Sequence, residues 1–517
     1  MKKFTVLTLF GLLILVFSAT VHAQQLEFKA SGYYSVTTYM YRNIPNVGEV
    51  QPITGFWTTP FAAPGTGVNN SDSGAFNRTN TFLESRMALN FDAIFGKELS
   101  ARTSFEMDAL RWGSNPNVAA AASQGGNNGI WRTDATSVEI KHLYMDIGLP
   151  FFGIPIPMTV RVGQQPLGVR PHILMITDGS GVTGGLKLDP VTIAPMWAKQ
   201  IEGRDAAADD IDFYGLHASA KLGTLTVGGY GLYFNMNTYP GYNATTTYGV
   251  TPTHKADFWW FGGYVDGQVG PVNIQTDFIY DWGKVKPRGA NPGSTVKYSG
   301  YVGRAKIDYP WEKLNFGVVG VYGSGADLKK TGTQGLPGET VANSIAAPGA
   351  TSSKVNSFVV TPGSETAAIT GDDFFIFGNF VTLEVAPLNY APASATLTHT
   401  VHRGAYGGLW LAKLFAGYKV TPWYKINLEA LYLGDTTTHG NTLGNAVKGN
   451  GALRDDSSIG WEFNLINEIN IYKNLKWDIG AGYLIGGDAL DQRVGTTTQN
   501  KAPHNPWIVA TKLRYTF

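Results

Sequence analysis

Apolar and polar side chains alternate along most of this chain with a period of two. In the last stretch, Trp507, Val509, Thr511, Leu513, Tyr515 and Phe517 share one face, and Ile508, Ala510, Lys512, Arg514 and Thr516 the other. Successive side chains of a strand point to opposite faces. The pattern therefore predicts a strand with one apolar, aromatic-edged face and one mostly polar and basic face. Similar segments recur near 26–42, 80–95, 97–111, 136–148, 157–166, 182–188, 191–202, 209–221, 224–235, 257–268, 271–283, 296–309, 313–324, 403–420, 423–434, 458–472, 474–486 and 506–517, about 18 in all.

The connections between these segments sort by parity. Tight turns follow the even segments: Gly96-Lys97, Asp189-Pro190, Gly223, Gly270, Pro310-Trp311-Glu312, Thr421-Pro422 and Lys473-Asn474. Mostly long stretches rich in Gly, Ser, Thr, Asn and Pro follow the odd ones: 43–79, 112–135, 236–256, 325–402, 435–457 and 487–505. An even number of antiparallel strands, with short turns at one end and long loops at the other, is the plan of a transmembrane β-barrel. The predicted fold is thus all-β, an up-and-down barrel of about 18 strands, with 16 or 20 as neighbouring counts. Loop 325–402 carries Phe374, Phe375, Phe377 and Phe380; an extra hairpin there would make 20 strands, and a lid or contact surface is the alternative.

The pleat then assigns faces. Leu83, Met87, Leu89, Phe91 and Phe95 oppose Glu84, Arg86, Asn90 and Asp92; Leu99, Ala101, Phe105 and Met107 oppose Arg102, Glu106 and Asp108. The same division sets Phe278, Tyr280 and Trp282 against Asp277 and Asp281, Leu428 against Lys425 and Glu429, and Trp461 and Phe463 against Glu462 and Asn464. A basic residue facing lipid at the midplane costs about 2–4 kcal/mol, so the charged face is expected inward. Barrels of about 16–18 strands leave an aqueous channel rather than filling with side chains. The expected interior is wet.

Composition agrees with this reading. Glycine reaches 63 residues, aromatics 13%, and charged residues only 15%, against about 25% in soluble domains. There is no cysteine, which excludes a disulfide framework, thiolate metal sites and covalently attached haem. Without Lys2 and Lys3, 38 basic residues face 39 acidic ones, and no nucleic acid or other polyanion is implied as a partner. Lys2, Lys3, the apolar run Phe4 to Phe17 and Val21-His22-Ala23 read as a signal peptide over 1–23, cleaved after Ala23. The barrel would then occupy 24–517, exported to the cell outer membrane.

The terminal strand resembles the closing strand of Gram-negative outer-membrane barrels. That resemblance implies an assembly signal at Tyr515 and Phe517, read by the barrel assembly machinery. Lys141 to Pro150, with Tyr144-x-Asp146, followed by Met158 to Gln165, with Arg161-x-Gly163, resembles a hairpin of Gram-negative porins; Gln164 stands where a second Arg is common. Strand number and loop parity are similar to the 18-stranded families that include substrate-specific porins and alginate exporters. An aqueous channel of this width makes passive diffusion of small polar solutes or ions the default function, within outer-membrane lipid, with a homo-oligomer as one arrangement.

The expected pore lining is Glu84, Arg86, Asp92, Arg102, Glu106, Asp108, Arg161, Lys512 and Arg514, a mixed set of signs. It suits either a transverse field or wall ion pairs, and Tyr33, Tyr39 and Tyr264, if inward, suit sugars. Leu167 to Gly181 reads as a loop with an apolar run, Ile173 to Ile176, that needs burial. Folded into the lumen it would form a constriction bearing Arg170, His172 and Asp178; packed on the wall or another protomer it would not.

Other features carry less. Arg204 to Asp212 holds four carboxylates, read as a solvated acidic loop rather than a calcium site. His399 and His402 lie in a loop and are assigned no metal, and no cofactor is expected. Gly-x-Ser-x-Gly, His-Glu-x-x-His and phosphate-cradling motifs are absent, so no enzyme is expected. The leading function is a porin. An exporter of an anionic polysaccharide would want a basic lumen, and a sleeve or adhesin would hold or bind a partner protein.

Overall fold

The computed structural model describes residues 26–42, 79–96, 98–109, 112, 137–149, 157–203, 208–239, 254–288, 295–331, 354–364, 373, 401, 403–493, 497–502 and 504–517. Segment 1–23, expected to be a signal peptide, and Arg204, Phe374 to Phe380, His399 and His402 lie outside these residues. Eighteen strands form the wall. They are β1 (Leu26–Arg42), β2 (Thr79–Phe95), β3 (Leu99–Ala109), β4 (Ser137–Leu149), β5 (Met158–Val169), β6 (Met175–Leu188), β7 (Val191–Ile201), β8 (Ile211–Leu222) and β9 (Leu225–Tyr239). The second half comprises β10 (His254–Val269), β11 (Val272–Pro287), β12 (Val296–Trp311), β13 (Leu314–Gly323), β14 (Leu409–Thr421), β15 (Tyr424–Asp435), β16 (Ser458–Tyr472), β17 (Leu475–Gly486) and β18 (Trp507–Thr516).

Each wall strand pairs antiparallel with its sequence neighbours, and β18 closes the sheet on β1 from Tyr33↔Thr516 to Arg42↔Trp507. Phe517 extends the closure, exchanging backbone hydrogen bonds of 2.8 and 3.0 Å with Gly32. Closure removes both sheet edges, which is what lets strands satisfy their backbone in lipid. No helix among the described residues is long and apolar enough to cross a membrane, which says nothing of a β-barrel.

The alternation divides the faces as the pleat predicts. Phe91, Phe278, Trp282, Leu428, Trp461 and Leu513 are exposed on the outer face, whereas Glu84, Asp277, Asp281, Lys413 and Glu462 are buried on the inner one. Trp259 stacks on Tyr233 at 4.3 Å between ring centroids, and Tyr515 and Phe517 lie 5.6 Å apart, both outward. Such aromatics belong to the interfacial girdles of a barrel.

Two expectations need correction. The stretch 167–181 is not an irregular loop: β5 runs to Val169 and β6 starts at Met175, paired from Val169↔Met175 downward, so only 170–174 connect them. Glycines and Pro166 gave it a loop-like composition, but cross-strand pairing meets its backbone hydrogen bonds. Nor does a hairpin from 324–408 enter the wall, since β13 pairs directly with β14. Within that connection, Lys354–Val355 lies parallel to the start of β12.

The interior is also drier than expected. Inward positions of β8 to β15 near the long-connection end are apolar, among them Phe234, Phe258, Trp260, Ile279, Tyr298 and Leu433, all buried. They pack with Phe358, Val359, Val360, Val401 and Tyr406, so an insert from the β13–β14 connection fills that side of the barrel. Trp260 Nε1 donates to the Val359 carbonyl at 2.8 Å, and the Asp281 carboxylate accepts from Gly300 N at 2.9 Å and Val359 N at 3.1 Å. A polar strand face with apolar positions between its charges is read as wholly wet until the segment covering it is known.

Candidate functional site: the inward hairpin and the charged wall

Pairing between β4 and β5 stops at Leu143↔Gln164, and pairing between β6 and β7 begins at Ser180↔Lys199. Among the described residues, the hairpin Gln165 to Gly179 therefore pairs only with itself. Glycine permits the departure on both sides. At Gly163, φ is 129°, and at Gly181 a Cβ would collide with the backbone carbonyl of Trp197. Gln165, fully buried, pins the two sides together: its Nε2 donates to Gly181 O at 2.9 Å and its Oε1 accepts from Thr183 Oγ1 at 2.8 Å.

The hairpin tip reaches β10 and β11, four strands along the wall from β6. Arg170 Nη2 donates to Asp266 and to Asp277, each at 3.0 Å; its Nε and Nη1 add a second bond to each carboxylate. Its guanidinium also lies 4.2 Å over the Tyr264 ring, and His172 Nε2 is 2.9 Å from Asp277. Ile173, Leu174 and Met175 are buried at the tip, meeting the need for burial read from the apolar run. Ser364 of the insert donates to Leu174 O at 3.1 Å and accepts from Ile176 N at 3.3 Å. Hairpin and insert are thus joined.

At the hairpin's base Asp178 meets the wall. A β-bulge between Ser104 and Phe105 in the β3–β4 register leaves Lys141 and His142 both inward. His142 Nε2 is 2.8 Å from Asp178, and Lys141 Nζ lies 2.8 Å from Glu106 and 3.8 Å from Asp178. Arg86 joins the same group at 3.6 Å from Glu106. Lys141 escapes a strict two-residue reading because the bulge resets the parity.

The other wall charges pair across strands. Arg102 grips Asp92 with bonds of 2.6 and 2.8 Å, and Arg161 grips Asp146 with 2.7 and 3.0 Å while lying 4.1 Å over Tyr144. Arg514 covers the Tyr33 ring at 3.9 Å, and Lys512 stands opposite Asp478 and Thr37. Glu84 is buried on the inner face; Asp108 pairs by backbone with Arg86, and its side chain lies outside the described residues. Tyr39 and Tyr264 are inward and buried. In the 204–212 segment, Asp210 and Asp212 hold Lys199 at 3.1 and 2.9 Å, a use as counter-ions.

One buried pair fixes the insert. Arg304 donates to both oxygens of Asp373 at 2.7 and 2.8 Å, and Tyr406 donates to the same carboxylate. Burial pushes the Asp373 carboxyl up, but the Arg304 bonds and charge outweigh it and hold the group below its ordinary value.

These features define a closed, lipid-facing barrel with an inward hairpin. No protein-family model matches the sequence, and no curated protein does. Among solved structures, it is similar to Pseudomonas aeruginosa OpdQ, at TM-score 0.48 and 9% identity over 95% of this chain and 98% of that one. It is likewise similar to Pseudomonas aeruginosa OccK8 (OprE), at 0.47 and 11% over 95% and 98%, and to a BenF-like porin from Pseudomonas fluorescens Pf-5, at 0.46 and 8% over 95% and 98%.

Proposed function

We propose that this protein is an outer-membrane porin through which small polar solutes or ions diffuse passively, sieved by the hairpin Gln165 to Gly179. The observation that carries the reading is the departure of that hairpin from both neighbouring strands and its anchoring on Asp266 and Asp277. Eighteen strands enclose room for water, and a tied hairpin across that room sets a size limit. With the insert filling the β8–β15 side, solutes pass along the charged wall of β1 to β5 and β18. There Arg86, Lys141 and Arg161 keep about a fifth to a third of their side-chain surface exposed, at 22%, 32% and 33%. Arg170, His172 and Asp178 act as the constriction set, two of them tying the tip and the third meeting the wall.

The wall favours a porin over an exporter of anionic polysaccharide. Arg86, Arg102, Lys141 and Arg161 each have a carboxylate partner, so the field is mixed rather than positive. Export through the signal peptide 1–23, insertion by the barrel assembly machinery through Tyr515 and Phe517, and the absence of catalysis complete the reading. Liposome swelling with neutral sugars of graded size tests it: monosaccharides enter and large oligosaccharides do not. Equal exclusion of every sugar and of amino acids would refute it.

A further inference from the structure

The outer face of β10, β11 and β12 carries an unusual row of lysines. Lys255, Lys284, Lys286 and Lys297 share the parity of the outward Trp259, Trp282 and Tyr301, while the intervening Ala256, Val285, Val296 and Tyr298 are buried inward. Register sets Lys255 opposite Lys286 and Lys284 opposite Lys297, and the parallel pair Lys354–Val355 brings Lys354 beside Lys297. Like charges directly opposite in a sheet destabilise it. One carboxylate, Asp257, shares this face of the three strands; it stands opposite Lys284 and accepts from Tyr233 at 3.1 Å. Among the described residues, Lys255, Lys284, Lys286 and Lys297 form no ion pair.

Height matters as much as charge. Trp282 is paired with Trp259 in the aromatic row, and Lys284 and Lys286 follow it by two and four residues toward the long-connection end. With a rise of about 3.3 Å per residue and a tilt of about 40°, they lie roughly 5 and 10 Å beyond the row. That is headgroup level in the outer leaflet. Directly below is continuous apolar surface: Phe278, Tyr280 and Tyr301 are exposed outward, with Phe278 and Tyr301 stacked at 6.3 Å.

We propose that this cluster binds the phosphates of an anionic lipid headgroup in the outer leaflet, the acyl chains lying on the aromatic surface beneath. The anion relieves the repulsion between facing lysines, and the apolar surface distinguishes a lipid from free phosphate. The inference rests on the proposed outer-membrane setting, in which the long connections of such a barrel face outward, but not on the pore: failure of the permeability test leaves it standing.

The test uses the full chain in a neutral detergent, titrated with diphosphoryl lipid A, its dephosphorylated form, or inorganic phosphate, with binding read by native mass spectrometry and stability by Tm. Only the diphosphorylated lipid is expected to bind and raise Tm. The double variant Lys284→Gln/Lys297→Gln should weaken that binding about thirtyfold, the factor given by ~1 kcal/mol per lysine. Its Tm in lipid-free detergent should not fall, because a like-charge pair has been removed. Should it fail to fold, Lys286→Gln alone should weaken binding about fivefold on the same basis. Unchanged affinity in the variants, equal binding of the dephosphorylated lipid, or equal stabilisation by inorganic phosphate overturns the proposal.

Discussion

Arg170 is the residue on which the hairpin's position most depends, because its one guanidinium joins two carboxylates from adjacent strands. Its side chain is 11% exposed and that of Asp277 is 1% exposed, so truncation leaves a buried carboxylate short of a partner. Removing one member of a buried pair costs about 3–5 kcal/mol. Arg170→Ala is expected to destabilise the barrel by about 3 kcal/mol in denaturant unfolding from vesicles and to widen the channel. Asp277→Asn added to it should recover part of the loss. Asp373 gives a pH signature. Its folded value lies below its unfolded one, so the pair's stabilisation is complete above about pH 4 and fades as pH falls through the lower folded value. Asp373→Asn should therefore cost about 3 kcal/mol at pH 7, and the Tm gap to the parent protein should shrink as pH drops below about 4.

At the scale of elements, the strands were legible and the fillings were not. Alternation located all 18 wall strands, most to within a few residues, because a strand between lipid and lumen is apolar on its lipid side; β6 begins seven residues before the reading of 182–188 and β14 six residues after that of 403–420. The inward face of β2, β3 and β18 was equally readable from Arg86, Arg102, Lys512 and Arg514. Pairing of the 165–179 hairpin was not, since a strand that leaves the wall loses the lipid-facing alternation and keeps only glycines that resemble a loop. Lys141, Gln165 and the insert Phe358 to Val360 depend on a bulge, a buried amide and a long-range contact, none of which has a periodic signal. Two substitutions test this level. Gly181→Val places a side chain against the Trp197 carbonyl and should displace the hairpin, raising permeability to larger sugars in liposome swelling. Leu428→Arg, on the lipid face at 56% exposure, should cost up to about 2–4 kcal/mol in unfolding.

For the whole molecule, closure and occupancy act together. Phe517 and Gly32 complete a barrel without edges, wide enough for water at 18 strands. The insert takes the β8–β15 side of that space and the hairpin is tied to β10 and β11, so on the proposed function the pore is narrower than the barrel itself. On that reading the constriction follows from detachment of one hairpin from the wall, a property of register rather than of any residue type. Single-channel conductance in planar bilayers measures this most directly. The parent protein should give small, ohmic steps with weak ion selectivity, and a variant in which Pro166 to Asp178 is replaced by a two-residue turn should give steps several-fold larger. Equal conductance in the two proteins, or none in either, would contradict a water-filled barrel narrowed by this hairpin.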